Sequence, residues 1–365
     1  MEERTGSPSH EKHPSLYFPD GDIALSAPTA SGVSLVFRVD RVYLTRNSPV
    51  LRDMLSPASS SHLPTELFDG VQLLRLADDA HQLANLLELL YSSVTVSLQR
   101  LDPNKPLRAM GILRLATKYG MEPLRKILLQ YIEADWPQTL QEWDYLQAQI
   151  AHAKELSIAA GVGSTRAAGA SFVDDTFPEP ASAIALASEF ACPSVLRAAF
   201  YQLAITDPTA DWDEHRACSV EDDPVGAWEH ESTLARGTRT ARWPLLDRAN
   251  LVRYIRGRAR LDEWLADIED CLTSYLGTAE CVEMFQCEQL RGVCRRQFLL
   301  EGPGRARPFD PLHAIRHLYD AVGQYNLCCS CSRHIRKELL RVRQEIWDEI
   351  PSMFGICMTP PPSSS

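Results

Sequence analysis

The chain has 365 residues, 45% apolar and 23% charged, so it holds ample material for a core and a wholly disordered chain is excluded. Pro (24) and Gly (18) are spread along it, which excludes a continuous coiled-coil rod. The net charge of −11 argues against a broad nucleic-acid surface.

Residues 1–13 are polar, without the apolar segment of a signal peptide, and read as a disordered tail. Ile23 and Leu25 mark a short strand. Val33, Leu35, Phe37 and Val39 alternate with Ser34, Val36 and Arg38, a period of two that predicts a second. Ser48-Pro49 is a helix start, an N-cap hydroxyl followed by Pro at the first helical position. Val71, Leu73, Leu74 and Leu76 predict a third strand. Asp78 is the expected cap of the next helix, where Leu83, Leu86, Leu87 and Leu90 share a face. Ile112, Leu115, Ala116 and Tyr119 repeat that spacing, and Gly120 supplies a left-handed stop. Leu124, Ile127, Leu128 and Tyr131 repeat it again.

From residue 135 onward only helical periodicity is found. Trp143, Leu146 and Ile150 share a face, as do Ile184, Ala187 and Phe190, then Leu196, Ala199, Phe200 and Leu203. Leu261, Trp264, Leu265, Ile268, Leu272 and Tyr275 predict a strongly amphipathic helix, Leu312 to Val322 another, and Ile335, Leu339, Val342 and Ile346 the last. Residues 136–205 are therefore a helical extension with a small-residue linker near 159–180. Residues 151–235 carry 4 basic against 14 acidic groups, a net charge of −10, and the polar stretch 206–242 is expected to be an acidic mobile loop. Residues 243–356 form a helical C-terminal domain, and 357–365 a disordered Pro/Ser tail.

The first segment resembles a BTB/POZ domain over residues 14–135. Its strongest stretch runs Val39-Asp40-Arg41-Val42-Tyr43-Leu44 through Ser48-Pro49-Val50-Leu51 to Leu55. Gly21-Asp22-Ile23 matches upstream, and Val71 to Leu76, Asp78, Leu83 to Tyr91 and Leu107 to Ile132 match downstream. Where the family carries His, this chain has Asp40; the Glu typical of cullin-recruiting members is missing, since no Glu lies between Glu88 and Glu122. In the remainder, Ile184 to Leu203, the Cys328/Cys331 pair and Trp347 to Phe354 are similar to the helical C-terminal region of fungal BTB-domain proteins. The resemblance implies an α+β BTB/POZ domain followed by an all-α domain. It also implies a protein–protein interaction module, with a homo-oligomer interface near Asp22, Asp40 and Arg41. The plainer readings are that Asp22 accepts backbone hydrogen bonds and that Arg41 is solvated. The alternatives within reach are a substrate adaptor of a cullin-type ubiquitin ligase and a nuclear transcriptional or chromatin regulator.

Chemistry is sparse. Cys328-Cys329-Ser330-Cys331 with His334 is zinc-like, because thiolates and imidazole suit a tetrahedral site, and Cys281, Cys287 and Cys294 offer further ligands. Against this, a second Cys-x2-Cys is absent, and Cys287 and Cys294 stand on one helix face as buried thiols do. The reading therefore assigns no metal ligand. His313 and His317 lie one helical turn apart, but Ala314 cannot supply a metalloprotease base. Gly161-Val162-Gly163 has no strand before it and is no nucleotide loop. Residues 236–260 hold eight Arg and residues 207–231 nine acids, two blocks expected to neutralise each other or to be solvated. No catalytic residue, cofactor, small-molecule substrate or nucleic acid is assigned. With ten cysteines irregularly spaced and no apolar run long enough for a membrane, an intracellular protein, cytoplasmic or nuclear, with protein partners is expected.

Overall fold

Strand β2 (Ile23–Pro28) and strand β3 (Ser34–Val39) form an antiparallel hairpin in which Leu25 faces Phe37 and Ile23 faces Val39. In the computed structural model, which describes residues 10–56, 66–91, 99–159, 172–217, 233–234, 237–275, 280–289, 292 and 310–358, this hairpin lies within a mixed α/β fold. A five-stranded sheet is followed by helices. The chain divides into two units: Met1–Arg100 with Lys105–Ile132, and Leu101–Asn104 with Glu133–Ser365.

In the first unit the sheet order is β1-β3-β2-β5-β4, with β1 at His10–Tyr17, β4 at Leu67–Phe68 and β5 at Val71–Arg75. β5 runs parallel to β2, so β2 is paired on both sides; its first five residues, Ile23 to Ala27, are all buried. Ala24, Val36 and Leu73 make one small cluster with Tyr17, Phe68 and Val71. Helices α1 (Arg41–Asn47) and α2 (Pro49–Met54) link β3 to the β4–β5 hairpin. Helices α3 (Ala80–Tyr91), α4 (Lys105–Lys118) and α5 (Glu122–Glu133) follow, α3 packing on β2 and α4.

The expected tail over 1–13 is corrected at its end: His10 already belongs to β1. This is an edge strand running parallel to β3, with only Leu16 buried, so its sequence shows little apolar alternation. Residues 1–9 lie outside the described residues. Ser48 and Pro49 start α2 as expected: the Ser48 hydroxyl accepts the Leu51 N–H at 2.9 Å and donates to the Tyr119 carbonyl at 2.6 Å. Gly120 has the left-handed φ of 65° that ends α4. The cap of α3, however, is Asp79, which accepts the His81 and Gln82 N–H groups, each at 3.0 Å. Asp78 instead accepts the Lys118 ammonium at 2.6 Å and the Tyr119 hydroxyl, and burial together with this carboxylate pushes the Tyr119 phenol pKa up.

The second unit is helical. It comprises α6 (Leu140–Ala159), α7 (Pro180–Glu189), α8 (Pro193–Ala204), α9 (Arg248–Tyr275), α10 (Pro311–Ala321) and α11 (Cys329–Met353). Its centre is aromatic: Trp143 meets the Tyr201 ring edge-on at 5.1 Å and Trp347 at 5.9 Å, while Phe200 stacks on Phe354 at 5.3 Å. The buried Tyr201 hydroxyl donates to Asp310, the N-cap of α10, and accepts the Leu312 N–H. Arg343, also buried, donates to both Asp144 oxygens and to the Leu312 carbonyl. For the face Trp264, Leu265, Ile268, Leu272 and Tyr275, only the helical backbone is described.

Two expected irregular stretches are packed where they are described. Of the linker near 159–180, residues 160–171 lie outside the described residues, but Val173 and Phe177 close a cluster with Leu146 and Ile150. Of the loop 206–242, residues 218–232 and 235–236 lie outside them, but Asp211 bridges Ala241 and Trp212 is buried.

A buried charge network holds these pieces. Asp174 is wholly buried; its carboxylate accepts the Thr240 N–H and hydroxyl and pairs with Arg239 at 2.8 Å and Arg216 at 3.2 Å. Glu179, also wholly buried, is the N-cap of α7 and accepts N–H groups from Ala181, Ser182 and Arg242 at 2.7–2.9 Å. The Arg242 side chain reaches the Pro103 carbonyl and Asn104, clasping residues 101–104 into this unit. The guanidinium groups of Arg216 and Arg242 lie 3.5 Å and 4.2 Å from the Trp212 ring centre. Arg239 and Arg242 thus pair with acids at 174–179; of the acidic block 207–231, residues 218–231 lie outside the described residues.

Two outcomes follow. Glu179→Ala orphans three buried N–H groups and leaves Arg242 without its buried carboxylate, so the second unit should lose about 3–5 kcal/mol in urea unfolding; a loss below about 1 kcal/mol would contradict the network. His13, stacked 5.0 Å from Phe37 and accepting the Leu16 N–H through Nδ1, has its pKa lowered below the ordinary 6.5 by burial. Its contribution to stability is fully present above that ordinary value and is lost as pH falls through the lower, folded one. A histidine titration followed by NMR should show this; a His13 value at or above 6.5 would refute it.

Candidate functional site

Two places in the described residues gather chemistry-bearing side chains. One is the corner where β2 begins and α1 starts. Asp40 is the N-cap residue of α1, but its side chain does not cap; it accepts the Tyr91 hydroxyl at 3.0 Å, while its own N–H donates to the same oxygen at 2.8 Å. The capping falls to Asp22, whose Oδ1 accepts the Arg41 N–H at 2.6 Å. The Arg41 guanidinium donates to the Leu55 carbonyl at 3.2 Å and to Gln72 at 2.8 Å, tying the end of α2 to β5. The plain reading of Asp22 as a backbone acceptor therefore describes what it does within the chain, whereas Arg41 is bonded rather than merely solvated. The Tyr91 ring lies 4.9 Å from Phe18 and 4.8 Å from Tyr43. Burial raises the Tyr91 phenol to about 12, so it is a neutral hydroxyl at physiological pH.

The other place is in the second unit. Cys281, Cys287, Cys328 and Cys331 bring their four Sγ atoms within 4.8 Å of one another. Cys287 and Cys331 are wholly buried, Cys328 is buried and Cys281 is half-buried. Cys328 is the N-cap of α11 and Cys331 lies in its first turn, so the Cys331 N–H points at the Cys328 sulfur, 3.5 Å away. The Cys328 N–H donates to the Cys287 sulfur at 3.4 Å. Residues 284–289 are helical and carry Cys287, while Cys281 precedes them and lies 3.9 Å from Cys328 sulfur to sulfur. Across the pair of segments, the Ser330 hydroxyl donates to Glu280 at 3.1 Å.

These contacts act on the thiols. The Cys331 N–H, then the Val282 N–H and the neighbouring thiols, hold Cys328 down to about 6 against the opposing effect of burial. Cys287 is drawn down by the Cys328 N–H, but burial and the Cys328 and Cys281 thiols leave it above its ordinary value. Cys192, by contrast, is an isolated buried thiol beside Glu133 and Ser194, pushed up to about 11 by burial.

The sequence brought forward Cys328, Cys331 and His334 as one set, with Cys281, Cys287 and Cys294 in reserve. The fold joins the first two to Cys281 and Cys287; His334 is not among the four, and Cys294 lies outside the described residues. His313 and His317 are exposed on α10 and belong to no such group among the described residues. Gly161 to Gly163 lie outside the described residues. Of the eight Arg at 236–260, Arg258 on α9 donates to the Ala204 carbonyl and Arg260 to the Ser352 carbonyl, so both are engaged within the unit. Among the described residues no helix is long and apolar enough to cross a membrane. Comparison with protein-family models and with curated proteins found no match.

Asp22→Ala should remove the acceptor at the start of α1 and cost about 0.5–2 kcal/mol in thermal unfolding, with Asp22→Asn retaining most of it. Equal losses for the two variants would show that the cap bond is not what Asp22 contributes.

Proposed function

We propose that the first unit is a protein–protein interaction module of the BTB/POZ type that pairs with a second copy of this chain, and that the helical unit presents a second surface to a protein partner. The carrying observation is the apolar surface of the α1–α2 hairpin, where Val42 is 64%, Tyr43 44%, Met54 40% and Val50 38% exposed. Four large apolar side chains are thus exposed on two short consecutive helices, and this reading takes them as one patch. A two-fold axis lets one such patch cover itself.

The order of elements supports the BTB reading: a strand hairpin, a helical hairpin, then a strand parallel to the first, followed by helices packed on the sheet. The bonded corner of Asp22, Asp40 and Arg41 fixes where α1 leaves the sheet, and so where the patch sits. In this reading those three residues position the interface. The chain works as a scaffold, without a catalytic residue, in a reducing compartment that keeps its cysteines out of disulfides.

Sedimentation equilibrium of the full chain should resolve a monomer–dimer equilibrium. Val42→Glu combined with Met54→Glu should weaken it by at least about tenfold, because each buried apolar side chain is worth about 1.5–3 kcal/mol. Circular dichroism of the variant should match the parent, since both side chains are exposed. A wild-type chain that sediments as a monomer at every concentration would overturn self-association.

A further inference from the structure

The four-cysteine cluster is in the helical unit and is independent of the proposed pairing surface. We propose that Cys281, Cys287, Cys328 and Cys331 bind a single structural zinc ion that fastens residues 280–289 to the start of α11.

The argument is geometric. Four sulfurs each about 2.3 Å from one central ion stand about 3.8 Å apart at the corners of a tetrahedron. The Cys281 and Cys328 sulfurs are 3.9 Å apart, and no pair of the four exceeds 4.8 Å. Two disulfides would divide the group into bonded pairs at about 2.05 Å. An iron–sulfur cluster would hold its thiolates farther apart, around its own bulk. Mutual closeness of all four suits one ion at the centre.

The surroundings suit thiolates rather than a core of thiols. A zinc ion with four thiolates carries a net charge of −2, which a buried place tolerates only with donors around it. The Cys331 and Cys328 N–H groups face sulfurs of the cluster, and both Cys328 and Cys331 sit at the positive N-terminal end of the long helix α11. Soft sulfur ligands select zinc over magnesium or calcium, which prefer oxygen. With all four positions filled by protein and two of the cysteines wholly buried, the site is closed to substrate, so the ion is structural.

The Cys-x2-Cys half lies on α11 and the Cys-x5-Cys half on 281–287, with 40 residues between Cys287 and Cys328. Metal binding thus closes a long loop.

The test uses the full chain expressed with zinc and purified under reducing conditions. Elemental analysis should find about one zinc per chain. The same preparation stripped of metal should take up Co(II) and develop the visible d–d bands and near-ultraviolet thiolate charge-transfer band of a tetrahedral thiolate site. Removing zinc with a strong chelator should lower the unfolding temperature, and adding zinc back should restore it. Cys281→Ser, at the half-buried position, should lose most of the zinc, as should Cys331→Ser. Cys329→Ser, which alters the exposed cysteine inside the same motif, and Cys192→Ser should keep it. The cobalt spectrum of the unmutated chain stands whether or not a variant folds. Zinc content near zero with four reactive thiols, a Cys281–Cys328 disulfide in a mass map, or iron in place of zinc would each overturn the proposal.

Discussion

A carboxylate without access to water must be met by donors, and Glu179 and Asp174 impose that demand on the helical unit. Each lies wholly buried, and each is surrounded by N–H and guanidinium groups drawn from separate stretches of chain. Glu179 satisfies the first N–H groups of α7, a helix rich in Ala and so able to lie close to α8. The same carboxylate fixes the Arg242 backbone, and Arg242 in turn holds residues 101–104. Asp174 secures Arg216 and Arg239 from the two ends of a polar segment. Neutralising two buried charges therefore dictates where four distant pieces of chain meet. Such a network contributes little net stability over an apolar core, but it is unforgiving of the loss of one member.

The sheet unit rests on smaller devices of the same logic. Helix starts there are met by Asp22, Ser48 and Asp79, each a side chain that accepts an otherwise orphaned N–H group. Ser48 also donates across to Tyr119, so a local cap doubles as a long-range tie. Asp40, displaced from capping, bonds Tyr91 and joins the end of α3 to the start of α1. These bonds tie the α1–α2 hairpin to the sheet and to α3, which is the link between local chemistry and the proposed interaction surface.

The cysteine cluster applies a third version of the rule. A helix N-terminus offers N–H groups that favour negative charge, and here the Cys328 sulfur accepts one of them. An ion placed among the four sulfurs would satisfy both the thiolates and the demand that two segments far apart in sequence stay together.

Periodicity alone sufficed for the elements whose buried faces repeat: the β2–β3 hairpin, β5, and the helices at 80–91, 105–118, 140–159, 180–189, 193–204, 311–321 and 329–353. Local chemistry sufficed for Ser48-Pro49 and Gly120, since caps and left-handed stops depend only on neighbouring residues. What failed was whatever depended on partners far away in the chain. β1 is stabilised by pairing rather than by an apolar face, so its residues looked like a tail. Asp78 and Asp79 are chemically alike, and only the approach of Lys118 and Tyr119 decides which one caps. The polar ends of 206–242 looked unfit for burial because their neutralising partners, Asp174, Asp175 and Glu179, lie tens of residues earlier. Cys328 and Cys331 were legible only as a zinc-like pair to which no metal was assigned, because a Cys-x5-Cys half has no fixed signature and a nearby His334 is an equally good ligand on paper. The tertiary fold chose Cys281 and Cys287 by bringing their sulfurs, and not the imidazole, to the same point.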